Sequence, residues 1–149
     1  FIIIINLYTS IMEVKKKYYK KLPNGQWKTY LYCFLKKGTK QRLYLKAGIT
    51  EFKDIEARMF FNNLNEEESF IQHFDDKPMW SEKFPSKAEA EKVEEKLLKY
   101  FGDKVDMGFK TGGYSEVREY NHEKWMAIND ELYKKPFNVE SLLLQLSRP

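Results

Sequence analysis

YLYCFLKKGTKQRLYLKAGIT, residues 30–50, is the stretch of this chain that decides its fold. Two apolar runs rich in β-forming residues, 30–35 and 42–50, flank a polar connector that contains Gly38. Apolar side chains alternate with other residues in both runs, so each arm has two different faces. This pattern predicts a β-hairpin with a flexible tip, and the rest of the chain is arranged around it.

The residues that follow the hairpin predict one helix and two extended segments. Residues 51–64 carry apolar side chains, beginning with Ile55, at helical spacing, so they predict a helix of about ten residues. Residues 69–74 and 79–84 have the composition of strands and flank a turn that contains Pro78.

The best-defined helix in the sequence begins after Ser86. Ser86 and Glu89 match a capping box, in which both side chains satisfy free backbone donors at a helix start. We expect this helix to run to about Phe101, with Gly102 as its C-terminal stop. Residues 114–120 then predict a strand.

Two further helices are predicted near the end of the chain. Asn121 and Asn138 are suitable N-caps, and each precedes apolar residues at helical spacing. Together these elements predict an α/β (α+β) domain: a small mixed or antiparallel sheet with a central hairpin, flanked by helices. Its parts are an N-terminal extension and basic arm (1–28), a core (29–120) and C-terminal helices packed on that core (121–149).

The first eleven residues, FIIIINLYTSI, differ from the rest of the chain. This run is too short to span a bilayer, and it lacks the basic region and the cleavage site of a signal peptide. Met12 opens a more ordinary sequence, so we interpret the run as upstream sequence or an extra strand. Because exposed FIIII would promote aggregation, we expect it to be buried or paired.

Positive charge is concentrated in the first third of the chain. The net charge is +4, but residues 12–46 hold eleven basic residues and one acid, and Tyr and Trp are interleaved with them. Such a segment favours a nucleic-acid partner, although a solvated face with inward aromatics is the plain alternative. The residues that we expect to contact DNA are Lys15, Lys16, Lys17, Lys20, Lys21, Lys36, Lys37, Lys40 and Arg42.

Cysteine and histidine usage excludes several classes of site. The single cysteine, Cys33, excludes an intramolecular disulfide and is expected to be a small packed residue. With only two histidines, a structural zinc site is not expected. His73 is interpreted as structural, whereas His122 could reach a site formed near residues 114–120. The chain has neither a phosphate-binding loop nor a dinucleotide fingerprint.

The order of four short motifs resembles the core of the GIY-YIG nuclease superfamily. Tyr32, in YLY, is similar to the tyrosine of the first motif, and Gly48, in KAGIT, to the glycine of the second. Arg58 follows on the next predicted helix, and Glu116 lies in GYSEV, which resembles the stretch with the family's acidic residue. The resemblance covers residues 29–120.

Two positions depart from the family pattern. Tyr30 stands where the first motif usually has glycine, and Lys46 stands where the second usually has tyrosine. Some branches of the superfamily, including phage-type members, are similar in placing lysine there. Tyr44 shares a strand face with Lys46 and could fill part of the missing role.

The resemblance implies metal-dependent hydrolysis of DNA phosphodiester bonds. Glu116 would hold one Mg²⁺ or Mn²⁺ ion whose remaining ligands are mostly water. Arg58 would bind phosphate oxygens through its planar fork. Lys46 or Tyr32 would orient or deprotonate the attacking water.

Each of these residues also has a structural interpretation. Tyr32 could pack the hairpin, Lys46 could be a solvated strand charge, and Arg58 could pair with Asp54. Glu119 competes with Glu116 as the metal ligand, but the two face opposite sides of a regular strand.

Three functions are therefore possible: an endonuclease, a non-catalytic nucleic-acid-binding module, and a protein-interaction domain that does not retain DNA at low salt. The first is a phage or mobile-element endonuclease in the cytoplasm of a bacterial host, with DNA as its partner and no membrane. The alternative is a non-catalytic nucleic-acid-binding module with the same fold. The sequence does not indicate the oligomeric state.

Overall fold

The predicted hairpin lies at the centre of an antiparallel sheet. A computed structural model describes residues 2–7, 9, 20–55, 72–75, 77–105 and 117–148. Beyond residue 20, its strands are β1 (Trp27–Lys36), β2 (Arg42–Thr50), β3 (Gln72–Phe74), β4 (Trp80–Phe84) and β5 (Val117–Glu119). Its α-helices there are α1 (Lys87–Phe101), α2 (His122–Leu132) and α3 (Val139–Leu146).

The long strand β1 pairs with neighbours along both of its edges. On one edge it pairs with β2, and β2 in turn pairs with β5. On its other edge, β3 pairs with the end of β1 and β4 with its beginning, so these two short strands lie one after the other. Every pairing is antiparallel. The predicted fold class is confirmed.

The three helices pack on one face of this sheet. Alternate residues of β1, namely Leu31, Cys33 and Leu35, join a core that contains buried residues of all three helices. The Trp80 indole N–H also donates a 3.0 Å hydrogen bond to the Leu132 carbonyl, which ties β4 to the end of α2. One continuous core therefore connects the hairpin with the C-terminal helices.

Local capping signals set the helix starts. Ser86 Oγ accepts a hydrogen bond from the Glu89 amide at 3.3 Å, as the capping box predicts. Gly102 ends α1 with φ of 110°, a conformation that favours glycine. Asn121 and Asn138 cap α2 and α3 through their side-chain oxygens.

The β1–β2 ladder contains one irregularity, next to the hairpin tip. Phe34 pairs with Tyr44, but Leu35 pairs with Arg42, so Leu43 is left over on β2. A β-bulge of this kind re-aims the residues beyond it. Arg42 is therefore opposite Leu35, a residue of the helix-covered face.

The N-terminal segment differs from its prediction. Residues 2–7 are helical and exposed, with Ile3 82% exposed, so the expected buried or paired strand is wrong. A helix bonds its own backbone groups, so this segment needs no partner strand. Among the described helices, none is long and apolar enough to cross a membrane.

Two predicted elements are described only in part. The helix predicted for residues 51–64 lies outside the described residues beyond Ile55, which is buried. The predicted strand at 114–120 is observed as Val117–Glu119, and residues 114–116 lie outside the described part.

Candidate functional site

Tyr32 of β1 and Lys46 of β2 are direct partners across the hairpin ladder. Opposed residues of an antiparallel pair project to the same side, with Cβ atoms about 4.5–5.5 Å apart. Both side chains are buried: Tyr32 is 0% and Lys46 2% exposed. Ammonium groups are almost never buried without a specific interaction, which makes this pair the most unusual feature of the sheet.

The pair belongs to the face of the sheet opposite the three helices. Tyr30, Tyr32 and Phe34 form a second buried cluster with Ile55 and Val117, separate from the helix-covered core. The Tyr30 and Tyr32 rings meet edge to face, with centroids 5.9 Å apart. Val117 of β5 is opposite Lys46, so β5 extends this face beyond β2.

Gly48 is the residue opposite Tyr30, and the Tyr30 ring occupies the space above it. A Cβ atom at position 48 would lie 2.5 Å from Tyr30 Cζ, closer than real Cβ contacts occur. Tyr30, which departs from the family pattern, is therefore complementary in size to Gly48, which matches it. The tyrosine at position 30 requires the glycine at position 48.

Tyr44 and Glu119 form the accessible edge of the same face. They are direct partners across the β2–β5 ladder, and Tyr44 packs against the second cluster. Tyr44 is half-buried and Glu119 is exposed. Tyr32 and Lys46 themselves are almost inaccessible to solvent.

Two of the four predicted catalytic residues lie outside the described residues. These are Arg58 and Glu116. The same is true of Lys15, Lys16 and Lys17 in the predicted DNA-binding arm. The described part of the candidate site therefore comprises Tyr32, Lys46, Tyr44 and Glu119.

His122, which was predicted as a supporting residue, belongs to a different group of side chains. Its Nδ1 lies 2.7 Å from the Tyr120 hydroxyl, which also accepts a 3.0 Å hydrogen bond from the Arg42 guanidinium. The guanidinium carbon lies 5.4 Å from the centroid of the Tyr120 ring. The Tyr120 amide in turn donates to the Leu43 carbonyl. The contacts of His122 thus lead to the β-bulge near the hairpin tip.

The predicted DNA-binding lysines that the structure describes fall into two groups at opposite ends of the hairpin. Lys20 and Lys21 run beside residues 51–53, where Lys21 forms a 3.4 Å ion pair with Glu51. The exposed lysines of the tip lie beyond the other end of β2, about 27 Å away at 3.4 Å per residue. These tip residues are Lys36, Lys37 and Lys40.

The described carboxylates offer few ligands for the expected cation. Within the described ranges, no three His, Cys, Asp or Glu side chains come together as a metal cluster. Glu119, however, puts one exposed carboxylate on the face of the Tyr32–Lys46 pair, two residues along the ladder from the Lys46–Val117 pair. Mg²⁺ is commonly bound by one or two carboxylates and water, and among the described residues of this edge Glu119 supplies one such carboxylate. Glu116, the predicted ligand, is outside the described residues.

The sequence does not indicate that Arg118 is buried and bonded to the end of α1. It is 8% exposed, and its Nε donates hydrogen bonds to the carbonyls of Leu98 and Gly102, at 3.2 and 2.9 Å. These carbonyls are orphan acceptors at the end of α1. Arg118 therefore ties β5, and with it the edge that carries Glu119, to the helical layer.

Cys33 has no features of a reactive thiol. It is buried in the helix-covered core, and burial raises its pKa to about 12. A thiol with this pKa stays protonated at neutral pH and is a poor nucleophile. Its predicted role as a small packed residue is consistent with this position.

The comparisons with known proteins add no relative. No family model, no curated protein and no solved structure matches this chain. What supports a function is therefore the motif order in the sequence together with the placement of Tyr32, Lys46, Tyr44, Gly48 and Glu119.

Proposed function

We propose that this chain is a metal-dependent DNA endonuclease of GIY-YIG type that hydrolyses phosphodiester bonds. The observation that supports the proposal is the placement of Lys46 directly opposite Tyr32, on the sheet face whose accessible edge carries Tyr44 and Glu119. A buried charge is expensive and is usually kept for a function. The resemblance places two catalytic groups at these same two positions.

The proposed chemistry assigns a task to each residue. Lys46 or Tyr32 orients the attacking water or accepts its proton, and the residue that accepts the proton must itself be deprotonated first. Arg58 holds the phosphate by a bidentate contact. Glu116 is the proposed ligand of the divalent cation, with Glu119 as its competitor. A bound Mg²⁺ or Mn²⁺ would stabilise charge that develops on the phosphate oxygens.

The partner and setting follow from the same proposal. DNA is the substrate, and the protein acts in the cytoplasm of a bacterial host as a phage or mobile-element product. The lysines at the two ends of the hairpin contact phosphates, which position DNA without reading its sequence. Their separation of about 27 Å suits contacts on both sides of a cleavage point.

The experiment incubates supercoiled plasmid with the protein, in Mg²⁺ and then in EDTA. We expect nicked or linear plasmid only with the metal. Glu116→Ala is expected to abolish cleavage, whereas Glu119→Gln retains it. The reverse outcome would assign the metal to the accessible edge, and cleavage that survives EDTA would exclude the metal-dependent mechanism.

The burial of Tyr32 and Lys46 favours a second candidate. Catalytic groups must reach the scissile phosphate, and these two are enclosed. A module that binds nucleic acid through its exposed lysines without cutting it would show salt-sensitive binding and no cleavage product. The plasmid experiment therefore also separates the two candidates.

A further inference from the structure

A basic cleft lies on the helical side of the protein, away from the face that carries Tyr32 and Lys46. It has a volume of about 510 Å³ and opens between α1, the beginning of α2 and the end of α3. Its polar lining consists of Lys96, Lys99, Tyr100, Lys124, Ser147 and Arg148. Among the described residues that line it, four are cationic and none is acidic.

One cation of this cleft is fixed by reciprocal hydrogen bonds. The Lys124 ammonium donates to the Tyr100 carbonyl at 3.1 Å and lies 5.8 Å from the centre of the Tyr100 ring. The Tyr100 hydroxyl donates to the Lys124 carbonyl at 2.8 Å. Burial raises the pKa of Tyr100, so its hydroxyl adds no negative charge. The ammonium is therefore held in place before any ligand arrives.

Helix dipoles explain only part of this charge. Lys96 and Lys99 lie in the last turns of α1 and Arg148 follows α3, and cations are favoured at such C-termini. Each terminus is equivalent to about half a negative charge, so roughly three positive charges remain over the cleft. Lys124 is in the first turn of α2, where the dipole opposes a cation.

We propose that this cleft is a binding site for a phosphate group, carried either by a nucleic-acid backbone or by a small phosphorylated molecule. Arg148 offers a planar fork for two phosphate oxygens, and the lysines supply point charges around it. The cleft volume lies within the range of ligand sites. The site acts independently of cleavage, since it lies on the opposite face of the sheet from the Tyr32–Lys46 pair.

The experiment measures binding in EDTA, so that cleavage plays no part. The probes are a fluorescent DNA duplex of roughly ten base pairs, about one helical turn, and inorganic pyrophosphate. The variant is Lys96→Gln with Lys99→Gln. The matched control is Lys92→Gln with Lys104→Gln, which removes the same charge from exposed lysines outside the cleft.

If DNA occupies the cleft, log affinity falls less steeply with log salt concentration once two phosphate contacts are removed. The absolute slope should decrease by about 1.8 in the cleft variant and by less in the control. If a small molecule is the ligand, pyrophosphate shifts the amide resonances of Tyr100, Lys124 and Ser147 in the wild type but not in the cleft variant. Equal loss of DNA binding in variant and control, with no pyrophosphate shifts, would overturn the proposal.

Discussion

Tyr32 and Lys46 face each other across the central hairpin, and both are enclosed by the protein. The sheet thus holds an ammonium group in an aromatic surrounding at the position where the resemblance places a catalytic residue. Keeping a charge there opposes stability, because desolvation of an ion costs several kcal/mol before its interactions offset that penalty. The loss of Lys46 should therefore reduce activity far more than stability.

The first prediction concerns stability. Lys46→Met keeps the length of the side chain and removes a group whose desolvation opposes folding, so we expect the free energy of unfolding to fall by less than about 3–5 kcal/mol, the cost of breaking a buried ion pair. Urea denaturation measures it. Lys83→Met, on an exposed strand position, is the control and should stay within about 0.5 kcal/mol. A loss of about 3–5 kcal/mol in Lys46→Met would instead indicate a structural ion pair.

The second prediction tests the fit between Tyr30 and Gly48. Gly48→Ala forces the Tyr30 ring to move and should destabilise the protein by about 1–3 kcal/mol. In the double variant with Tyr30→Ala the overlap is gone. Its loss of stability should therefore be smaller than the sum of the two single-variant losses by about 0.5–3 kcal/mol. Additive losses in the double-mutant cycle would show that the two residues do not compete for space.

The parts of the fold that local patterns encode could be predicted from the sequence. The alternation of residues 30–35 and 42–50 encodes the hairpin, and Ser86, Glu89 and Gly102 encode the bounds of α1. In each case the physical cause acts within a few residues of the chain.

The features that depend on distant contacts could not be predicted. The bulge at Leu43 cannot be predicted from the sequence, because an apolar residue at this position continues the alternation of apolar residues along β2. Lysine is normally exposed in strands, so nothing local indicates that Lys46 is buried. The role of Arg118 depends on the end of α1, which lies sixteen residues or more away in sequence. The cleft at Lys124 likewise needs three helices to assemble.

The third prediction concerns pH. Burial raises the pKa of Cys33 to about 12, from an ordinary value of 9.0, so the folded state keeps a proton that the unfolded state loses above pH 9. The contribution of Cys33 to stability is therefore full below about pH 9 and falls by about 1.4 kcal/mol per pH unit above it.

Comparison with Cys33→Ala isolates this effect from other titrating groups. The stability difference between wild type and variant should shrink from about pH 8 to about pH 10, as measured by urea denaturation. An unchanged difference would mean that the thiol titrates normally in the folded protein.

The fourth prediction concerns the anchoring of β5. Arg118→Met removes the hydrogen bonds to the Leu98 and Gly102 carbonyls, so we expect a loss of about 1–3 kcal/mol. Hydrogen exchange should accelerate at the amides of β5 more than at those of β1. Uniform acceleration in both strands would show that Arg118 supports the whole fold and has no special role at this edge.

The most direct test of the central claim is plasmid cleavage by Lys46→Met, measured beside Lys83→Met and the wild type in Mg²⁺. If Lys46 is catalytic, Lys46→Met remains folded, still binds DNA, and cleaves about 10²–10⁴-fold more slowly, whereas Lys83→Met cleaves at the wild-type rate. Cleavage by Lys46→Met at the wild-type rate would contradict a catalytic role for Lys46. A wild-type protein that binds DNA in a salt-sensitive way but does not cleave it would contradict the nuclease proposal.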